Sequence, residues 1–133
     1  MKVLLDTHSL LWWQAGGDRL SQAAVRAIEE ADERLISPLT AWEVATLERL
    51  GRIILERDPG LWIGDLLRQD RISGAPLTHE AAAWAGTLGD AFTGDPVDRL
   101  LYATARDLRV PFVTKDERLR AFADAVGDVA VIW

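Results

Sequence analysis

Cysteine is absent from the 133-residue sequence. Its absence excludes disulfide bonds, zinc–thiolate sites and thiol nucleophiles, and it is compatible with a reducing cytosol. No apolar run approaches the roughly 18 residues that a membrane-spanning helix needs. The apolar start at residues 1–5 is too short for a signal peptide, because Asp6 interrupts it. We therefore expect a cytoplasmic protein that does not associate with membranes.

Lysine is scarce, since Lys2 and Lys115 are the only two, and arginine carries nearly all the positive charge. The formal net charge is −6. An acidic balance argues against strong nonspecific binding to nucleic acid, which relies on basic residues. It does not exclude a nuclease, because clustered acids bind cations and a bound cation reverses the local field.

The length of the chain suits one compact domain over residues 1–133. No internal repeat, low-complexity tract or linker divides it. Hydrophobic residues make up 49% of the sequence, which is enough to build a core without disulfides or metal cross-links.

Short apolar segments alternate with helical patterns along the chain. We predict strands at residues 2–5, 34–36, 110–113 and 129–133, and a short extended or irregular piece at 72–77. We predict helices at residues 10–14, after Ser21, after Ser37 and Pro38, at 59–70, from Thr78 to 88, after Asp95 and Pro96, and at 117–122. This alternation predicts an α/β fold with a mostly parallel sheet that is covered by helices on both faces.

Four acidic residues fall at one predicted edge of that sheet. Asp6 follows the first strand, and Asp116 follows the strand that ends at residue 113. Glu43 lies in the first turns of the helix after the second strand, and Asp98 lies near the start of another helix. Because helices in such folds run antiparallel to the strands, these helices begin at the carboxyl edge, where ligands bind.

Four neighbouring carboxylates repel one another unless protons or cations intervene. The candidate ligands are oxygen atoms, there is no cysteine, and only His8 lies close by in the sequence. Such a set favours Mg²⁺, with Mn²⁺ as the alternative.

Each acid also has a structural interpretation, and taken singly none is specific. Asp6 could simply end a strand, and Glu43 could be a solvated helix residue. Residues 95–98 have the form of an N-cap, a first-turn proline and an acid in the first turn. Residues 114–117 match a capping box that runs from threonine to glutamate.

Four segments together resemble the PIN-domain VapC toxins. They are LLDTHSLLWW at residues 4–13, SPLTAWEVA at 37–45, GDPVDRLLYATA at 94–105 and VTKD at 113–116. They occur in the order and at the spacing of that family, and the resemblance covers nearly the whole chain. It implies one PIN domain over residues 1–133, with a three-layer α/β/α fold and a mostly parallel central sheet.

The resemblance also implies a function. The chain would be an endoribonuclease, the toxin of a type II toxin–antitoxin pair, and would hydrolyse RNA phosphodiester bonds with Mg²⁺. Asp6, Glu43, Asp98 and Asp116 match the catalytic, metal-binding acids of the family. We expect Asp6 and Asp98 to be direct ligands, and Glu43 and Asp116 to act through water or on a second ion.

The partners implied are an RNA substrate, a cognate VapB-like antitoxin and a second copy of the chain in a homodimer. Thr7 and Thr114 match small polar positions that flank the site in relatives. The chain departs from the pattern at Thr93 and Gly94, where many relatives have histidine and arginine. This difference affects expected contacts with the substrate, whereas all four metal-binding acids of the family are present.

Other residues keep two interpretations. Arg99 and Arg118 could neutralise phosphate or form surface salt bridges, and His8 could be a general base or a helix-start residue. Of the six tryptophans, Trp12, Trp13 and Trp42 lie near the site segments. They could stack bases, pack in the core or face a partner protein.

Two other functions remain as alternatives from the sequence. A phosphotransfer domain of the haloacid-dehalogenase kind requires a second aspartate two residues after the first, where this chain has His8. A receiver domain requires adjacent acids that are also missing. The rival from another class is a PIN-like module that binds RNA or protein without cleaving it, and Mg²⁺-dependent cleavage of RNA would distinguish the two.

Overall fold

The computed structural model describes residues 1–133 and contains five strands and seven helices. The strands are β1 (Lys2–Leu5), β2 (Glu33–Ile36), β3 (Ile72–Gly74), β4 (Phe112–Val113) and β5 (Val131–Ile132). The helices are α1 (Thr7–Ala15), α2 (Gln22–Glu30), α3 (Pro38–Arg49), α4 (Pro59–Leu66), α5 (His79–Thr87), α6 (Pro96–Leu108) and α7 (Glu117–Val126). No helix is both long enough and apolar enough to cross a membrane.

The strands form one sheet in the order β3-β2-β1-β4-β5, and every neighbouring pair is parallel. The strand order reverses beside β1, since β2 and β3 lie on one side of it and β4 and β5 on the other. In open parallel sheets the crevice at such a reversal is where ligands bind. The topology therefore places a binding crevice beyond the carboxyl ends of β1 and β4.

Both faces of the sheet are buried, as the predicted three-layer fold requires. Side chains alternate along β1, so Leu4 packs on one face with Tyr102 and Phe112. Val3 and Leu5 point to the other face, where a second core forms around α1 and α2. The predicted α/β/α class is confirmed, and the sheet is parallel throughout.

Short polar side chains start the helices. Ser21, Thr78 and Asp95 each accept a hydrogen bond from the backbone N–H three residues ahead, as the sequence pattern predicted. Asp6 does the same for α1. This cap explains why α1 begins at Thr7, earlier than the predicted residue 10.

Other boundaries were also predicted wrongly, among them those of β5, which spans Val131–Ile132 instead of residues 129–133. Helix α4 ends at Leu66 instead of residue 70, and the chain turns before Arg71, whose φ of +57° interrupts a helix. Helix α7 continues past residue 122 to Val126, where Gly127 ends it with a left-handed φ of +80°. Strand β4 begins at Phe112, later than the predicted residue 110, because the N–H of Val110 still bonds to the carbonyl of Ala105 in α6.

Candidate active site

A cleft of about 260 Å³ opens at the carboxyl edge of the sheet. We call it the carboxylate cleft, because Asp6, Glu43, Asp95, Asp98 and Asp116 line it together with Thr114 and Lys115. The structure thus brings together all four predicted acids from four separate segments. It adds Asp95, which the sequence had indicated only as a helix cap.

Asp6 is held from two directions. One carboxylate oxygen accepts a 2.7 Å hydrogen bond from the N–H of Ser9, and the other accepts a 2.5 Å bond from the hydroxyl of Thr114. Its own N–H bonds to the carbonyl of Val113, which fixes the end of β1 against the end of β4. Asp6 is therefore a rigid group at the centre of the crevice.

The capping box predicted at residues 114–117 is wrong. Asp116 is the N-cap of α7, and its carboxylate accepts from the N–H groups of Arg118 and Leu119. Thr114 is buried, and besides donating to Asp6 its hydroxyl accepts from the N–H of Asp116 at 3.2 Å. Thr114 therefore orients Asp6 in the cleft and does not cap α7.

Asp116 also forms an ion pair with Arg118, whose Nη2 lies 3.3 Å from its Oδ2. Burial acts to raise the pKa of Asp116. The side-chain and backbone hydrogen bonds from Arg118, the N–H of Leu119 and the charge of Arg118 outweigh it and hold that pKa below its ordinary value. Asp116 is thus ionised and already partly neutralised.

Asp98 closes a capping box with Asp95. The N–H of Asp98 donates to Asp95 at 2.8 Å, and Oδ2 of Asp98 accepts from the N–H of Asp95 at 3.1 Å. Burial is the largest cause that raises the pKa of Asp98 to about 6, and the charge of Asp95 is the next. Asp116 and Glu43 add smaller contributions of the same sign, while the backbone N–H of Asp95 opposes them.

Glu43 reaches the cleft from the second turn of α3. This helix is fixed against α1 by a buried 3.3 Å hydrogen bond between the hydroxyls of Thr7 and Thr40. Glu43 and Asp98 both line the carboxylate cleft, and the charge of Glu43 is the smallest of the causes that raise the pKa of Asp98. The two carboxylates therefore face the same space.

The chemistry of the donor set fits a hard cation. All five acids offer oxygen ligands, and the charge of Asp95 adds to burial in raising the pKa of Asp98. No three His, Asp or Glu side chains converge closely enough to ligate one ion by themselves. A cation in the cleft would therefore take part of its ligands from water or a substrate phosphate, as Mg²⁺ usually does.

Arg99 and Arg118, the two possible phosphate ligands, already have partners within the protein. Arg99 donates to the backbone carbonyls of Leu88, Gly89 and Phe92 and so holds the loop before α6. Arg118 is paired with Asp116. Lys115 is left as the one cation that lines the carboxylate cleft.

Gly94 has a role that the sequence did not reveal. A Cβ atom there would lie 2.6 Å from Cβ of Asp98 and 2.7 Å from a ring carbon of the buried Phe92. Side chains do not tolerate such distances, so only glycine lets the loop pass this close to Asp98.

The six tryptophans divide by their surroundings. Trp13, Trp62 and Trp133 pack against one core cluster and Trp84 against the other. This agrees with core packing for most of them. Trp42 is 60% exposed on α3, and Trp12 lines the carboxylate cleft.

The PIN domain matches residues 3–125, and the chain therefore belongs to the PIN-domain family. Over 119 residues it is 44% identical to ribonuclease VapC22 of Mycobacterium tuberculosis (strain ATCC 25618 / H37Rv). That match covers 90% of this chain and 90% of the relative. The resemblance to VapC proteins inferred from the four segments is confirmed.

Solved structures share the fold at low identity. VapC20 of M. tuberculosis, described as a sarcin–ricin loop cleaving toxin, aligns with a TM-score of 0.64 at 15% identity and covers 90% of this chain and 94% of its own. VapBC2 of Rickettsia felis, bound to a promoter DNA fragment, gives 0.65 at 11% identity, with coverage of 98% and 97%. A toxin–antitoxin complex from Klebsiella pneumoniae gives 0.63 at 19% identity and 90% coverage of each chain. At these identities the likeness shows the fold alone.

Proposed function

We propose that this protein is a Mg²⁺-dependent endoribonuclease that acts as the toxin of a VapBC-type toxin–antitoxin pair. One observation carries the proposal. Four carboxylates from four segments of a PIN-domain chain line a single cleft, at the point where the strand order of the sheet reverses. They belong to Asp6, Glu43, Asp98 and Asp116. The name of the relative that is 44% identical, a ribonuclease, supports it.

Asp6 and Asp98 are the proposed direct ligands. Asp6 is oriented by Ser9 and Thr114, so its position costs little reorganisation when a cation binds. Asp98 uses one oxygen to accept from the N–H of Asp95 and has Oδ1 free to face the cleft. Its raised pKa makes it the acid that gains most from a neighbouring positive charge.

Glu43 and Asp116 are proposed to act on waters or on a second ion. Asp116 already shares its negative charge with Arg118 and two backbone N–H groups, which makes it a weaker ligand. Glu43 extends from a helix that is fixed against α1, so it can orient a water at the opposite side of the cleft.

When bound, Mg²⁺ would supply the positive charge that polarises a phosphodiester and favours in-line attack by water. The chain's own acids hold that charge in place. Glu43 is suitably placed to accept the proton that the attacking water loses, since it lines the cleft with no fixed partner. The phosphorus–oxygen bond to the leaving nucleotide breaks, and that oxygen takes up a proton from solvent.

A VapB-like antitoxin and a second copy of the chain are the proposed protein partners. The solved relatives include a toxin–antitoxin complex and VapBC2. Trp42, Leu50, Ile54 and Leu61 are exposed apolar side chains, of the kind that a protein partner covers. Localisation in the cytoplasm, where RNA and a cognate antitoxin meet, is part of this proposal.

The test is cleavage of RNA by the purified protein. We expect cleavage with Mg²⁺ or Mn²⁺, none with EDTA, and none with Asp6→Asn. Lys2→Arg, at the far end of β1, is the matched control and should cleave normally. Cleavage that survives both EDTA and Asp6→Asn contradicts the metal site, and RNA binding without any cleavage favours the non-catalytic module.

A further inference from the structure

We propose that Trp12 and Lys115 form a nucleotide-holding pair at the mouth of the carboxylate cleft, in which the indole stacks on an RNA base and the ammonium group binds a backbone phosphate. The inference rests on the proposed function and deepens it, because it assigns the substrate contacts that the four acids cannot make. It also names single-stranded RNA as the form of substrate that fits.

Trp12 is the one tryptophan that lines the carboxylate cleft. Four of the other five pack against a core cluster, and Trp42 lies on the outside of α3. Trp12 packs against no core cluster directly and reaches the core only through Trp133, which leaves part of its indole facing the cleft. A partly exposed indole beside a phosphate-cleaving site is the arrangement that stacks bases.

The surroundings of Trp12 suit a base. His8 lies one turn earlier on α1 with its ring centroid 5.8 Å away, and Trp133 contacts Trp12 edge-on at 5.9 Å. These neighbours hold the indole in place. Trp12 also lines a second, mostly apolar depression, which shares Glu43 and Asp95 with the cleft and includes Arg19 and Arg52. A strand that leaves the acids past Trp12 would therefore meet two arginines.

Lys115 supplies the phosphate contact. Its Nζ lies 5.7 Å from the Trp12 ring centroid, and it takes part in none of the seven ion pairs of the chain. Its side chain is exposed, and it immediately precedes Asp116. Because Lys115 lies over the indole, its flexible side chain must swing off the ring when a base stacks there. Without an ion-pair partner it is then available to offset the repulsion that phosphate meets at an anionic cleft.

Single-stranded RNA is favoured over a duplex by this geometry. A base can reach the indole only when it is unstacked from its own neighbours, as in a loop or a single strand. Stacking on an aromatic ring is tolerant of sequence, so the pair positions a nucleotide without selecting one base strongly.

The stacking contact is tested by binding, separately from cleavage. The probe is a short fluorescein-labelled single-stranded RNA titrated in Mg²⁺ with Asp6→Asn protein, which binds without cutting. Adding Trp12→Leu should weaken binding by roughly 5- to 150-fold, the range for loss of one stacked base. Trp12→Tyr keeps an aromatic face and should retain most of the affinity, and Trp42→Leu is the matched control with no loss.

The phosphate contact is tested by salt dependence. Lys115→Met should reduce the slope of log Kd against log salt concentration by about 0.7, the value for one contact on single-stranded nucleic acid. Lys2→Met removes the only other lysine, at the opposite edge of the sheet, and should leave the slope unchanged. In the cleaving protein, both Trp12→Leu and Lys115→Met should raise KM more than they lower kcat.

Equal RNA affinity for Trp12→Leu and Trp42→Leu, with melting temperatures that show both variants folded, overturns the pair. So does a loss of affinity that Trp12→Tyr fails to restore, because that loss is structural. Normal RNA binding by Trp12→Leu combined with lost binding of the antitoxin assigns the indole to the protein partner instead. If instead the proposed function is wrong, the unaltered protein will not cleave RNA at all.

Discussion

The hydroxyl of Thr114 donates a 2.5 Å hydrogen bond to Asp6 across 108 residues of sequence. The same oxygen accepts the N–H of Asp116 at 3.2 Å. A threonine that is 1% exposed thus links the end of β1 to the end of β4 and orients an acid on each. The pairing of β1 with β4 therefore determines how far apart the carboxylates of Asp6 and Asp116 lie.

Thr114→Val tests this link, because valine has nearly the same shape and no hydroxyl. Loss of the hydroxyl leaves an oxygen of Asp6 and the N–H of Asp116 without their partner. We expect the protein to lose about 1–3 kcal/mol of stability and kcat to fall by an order of magnitude or more. Thr114→Ser, which keeps the hydroxyl, should behave nearly as the parent in denaturant melts and cleavage assays. Equal activity of the two variants would show that Asp6 needs no such support.

Asp98→Asn should abolish cleavage and stabilise the metal-free protein above pH 6. The pKa of Asp98 rises from its ordinary value of 3.8 to about 6, so the folded state holds this proton more tightly than the unfolded chain does. Its contribution to stability is complete below pH 4 and is lost as the pH rises through about 6. That loss is at most about 3 kcal/mol. Melting curves from pH 4 to 8 in EDTA should show the decline for the parent and a flatter profile for Asp98→Asn.

Asp95→Asn is the control three residues away. Asparagine caps a helix about as well as aspartate, so stability and most of the cleavage should remain. Asp95→Ala should lose about 1 kcal/mol of stability, because the N–H of Asp98 then lacks its acceptor. A dead Asp95→Asn beside a fully active Asp98→Asn would mean that the ligand is Asp95.

Mg²⁺ should raise the melting temperature, because a cation relieves the repulsion among the acids of the folded state only. Binding that is confined to the folded protein adds about 2.7 kcal/mol at a hundredfold excess over Kd. The increase should shrink in Asp98→Asn. Calorimetric scans that stay unchanged with millimolar Mg²⁺ and Mn²⁺ would count against a metal site.

Gly94→Ala should damage both the fold and the site. The new methyl group would lie within 2.7 Å of Asp98 and Phe92, so one of them must move. We expect a loss of about 1–3 kcal/mol and a drop in cleavage as Asp98 is displaced. Gly89→Ala, in the same loop with nothing within 4 Å of its Cβ position, is the matched control. If both variants are equally stable and active, the close approach is not required.

Local patterns were sufficient to predict the fold class. The buried run before Asp6 and the Asp-Pro start of α6 each have a signal within a few residues, and both are where the sequence indicated. The clustering of the four acids could also be predicted, because the carboxyl ends of parallel strands lie at the same edge of the sheet.

Residues whose roles depend on distant partners could not be predicted. Thr114 fits a capping-box pattern, yet its hydroxyl bonds to Asp6, and only the pairing of β1 with β4 brings the two together. Arg99 resembled a phosphate ligand beside Asp98, but its guanidinium reaches backward to the carbonyls of the preceding loop. Both contacts exist only in the folded chain.

The order of the strands has a consequence for synthesis of the protein. The central strand β1 is made first, but its neighbour β4 is made more than a hundred residues later, and Asp116 comes after that. Until then Asp6 lacks Thr114, and the cleft lacks one wall. The carboxylate cleft is therefore complete only when nearly all of the chain has been made, so the RNA cleavage that we propose would begin only after synthesis is almost finished.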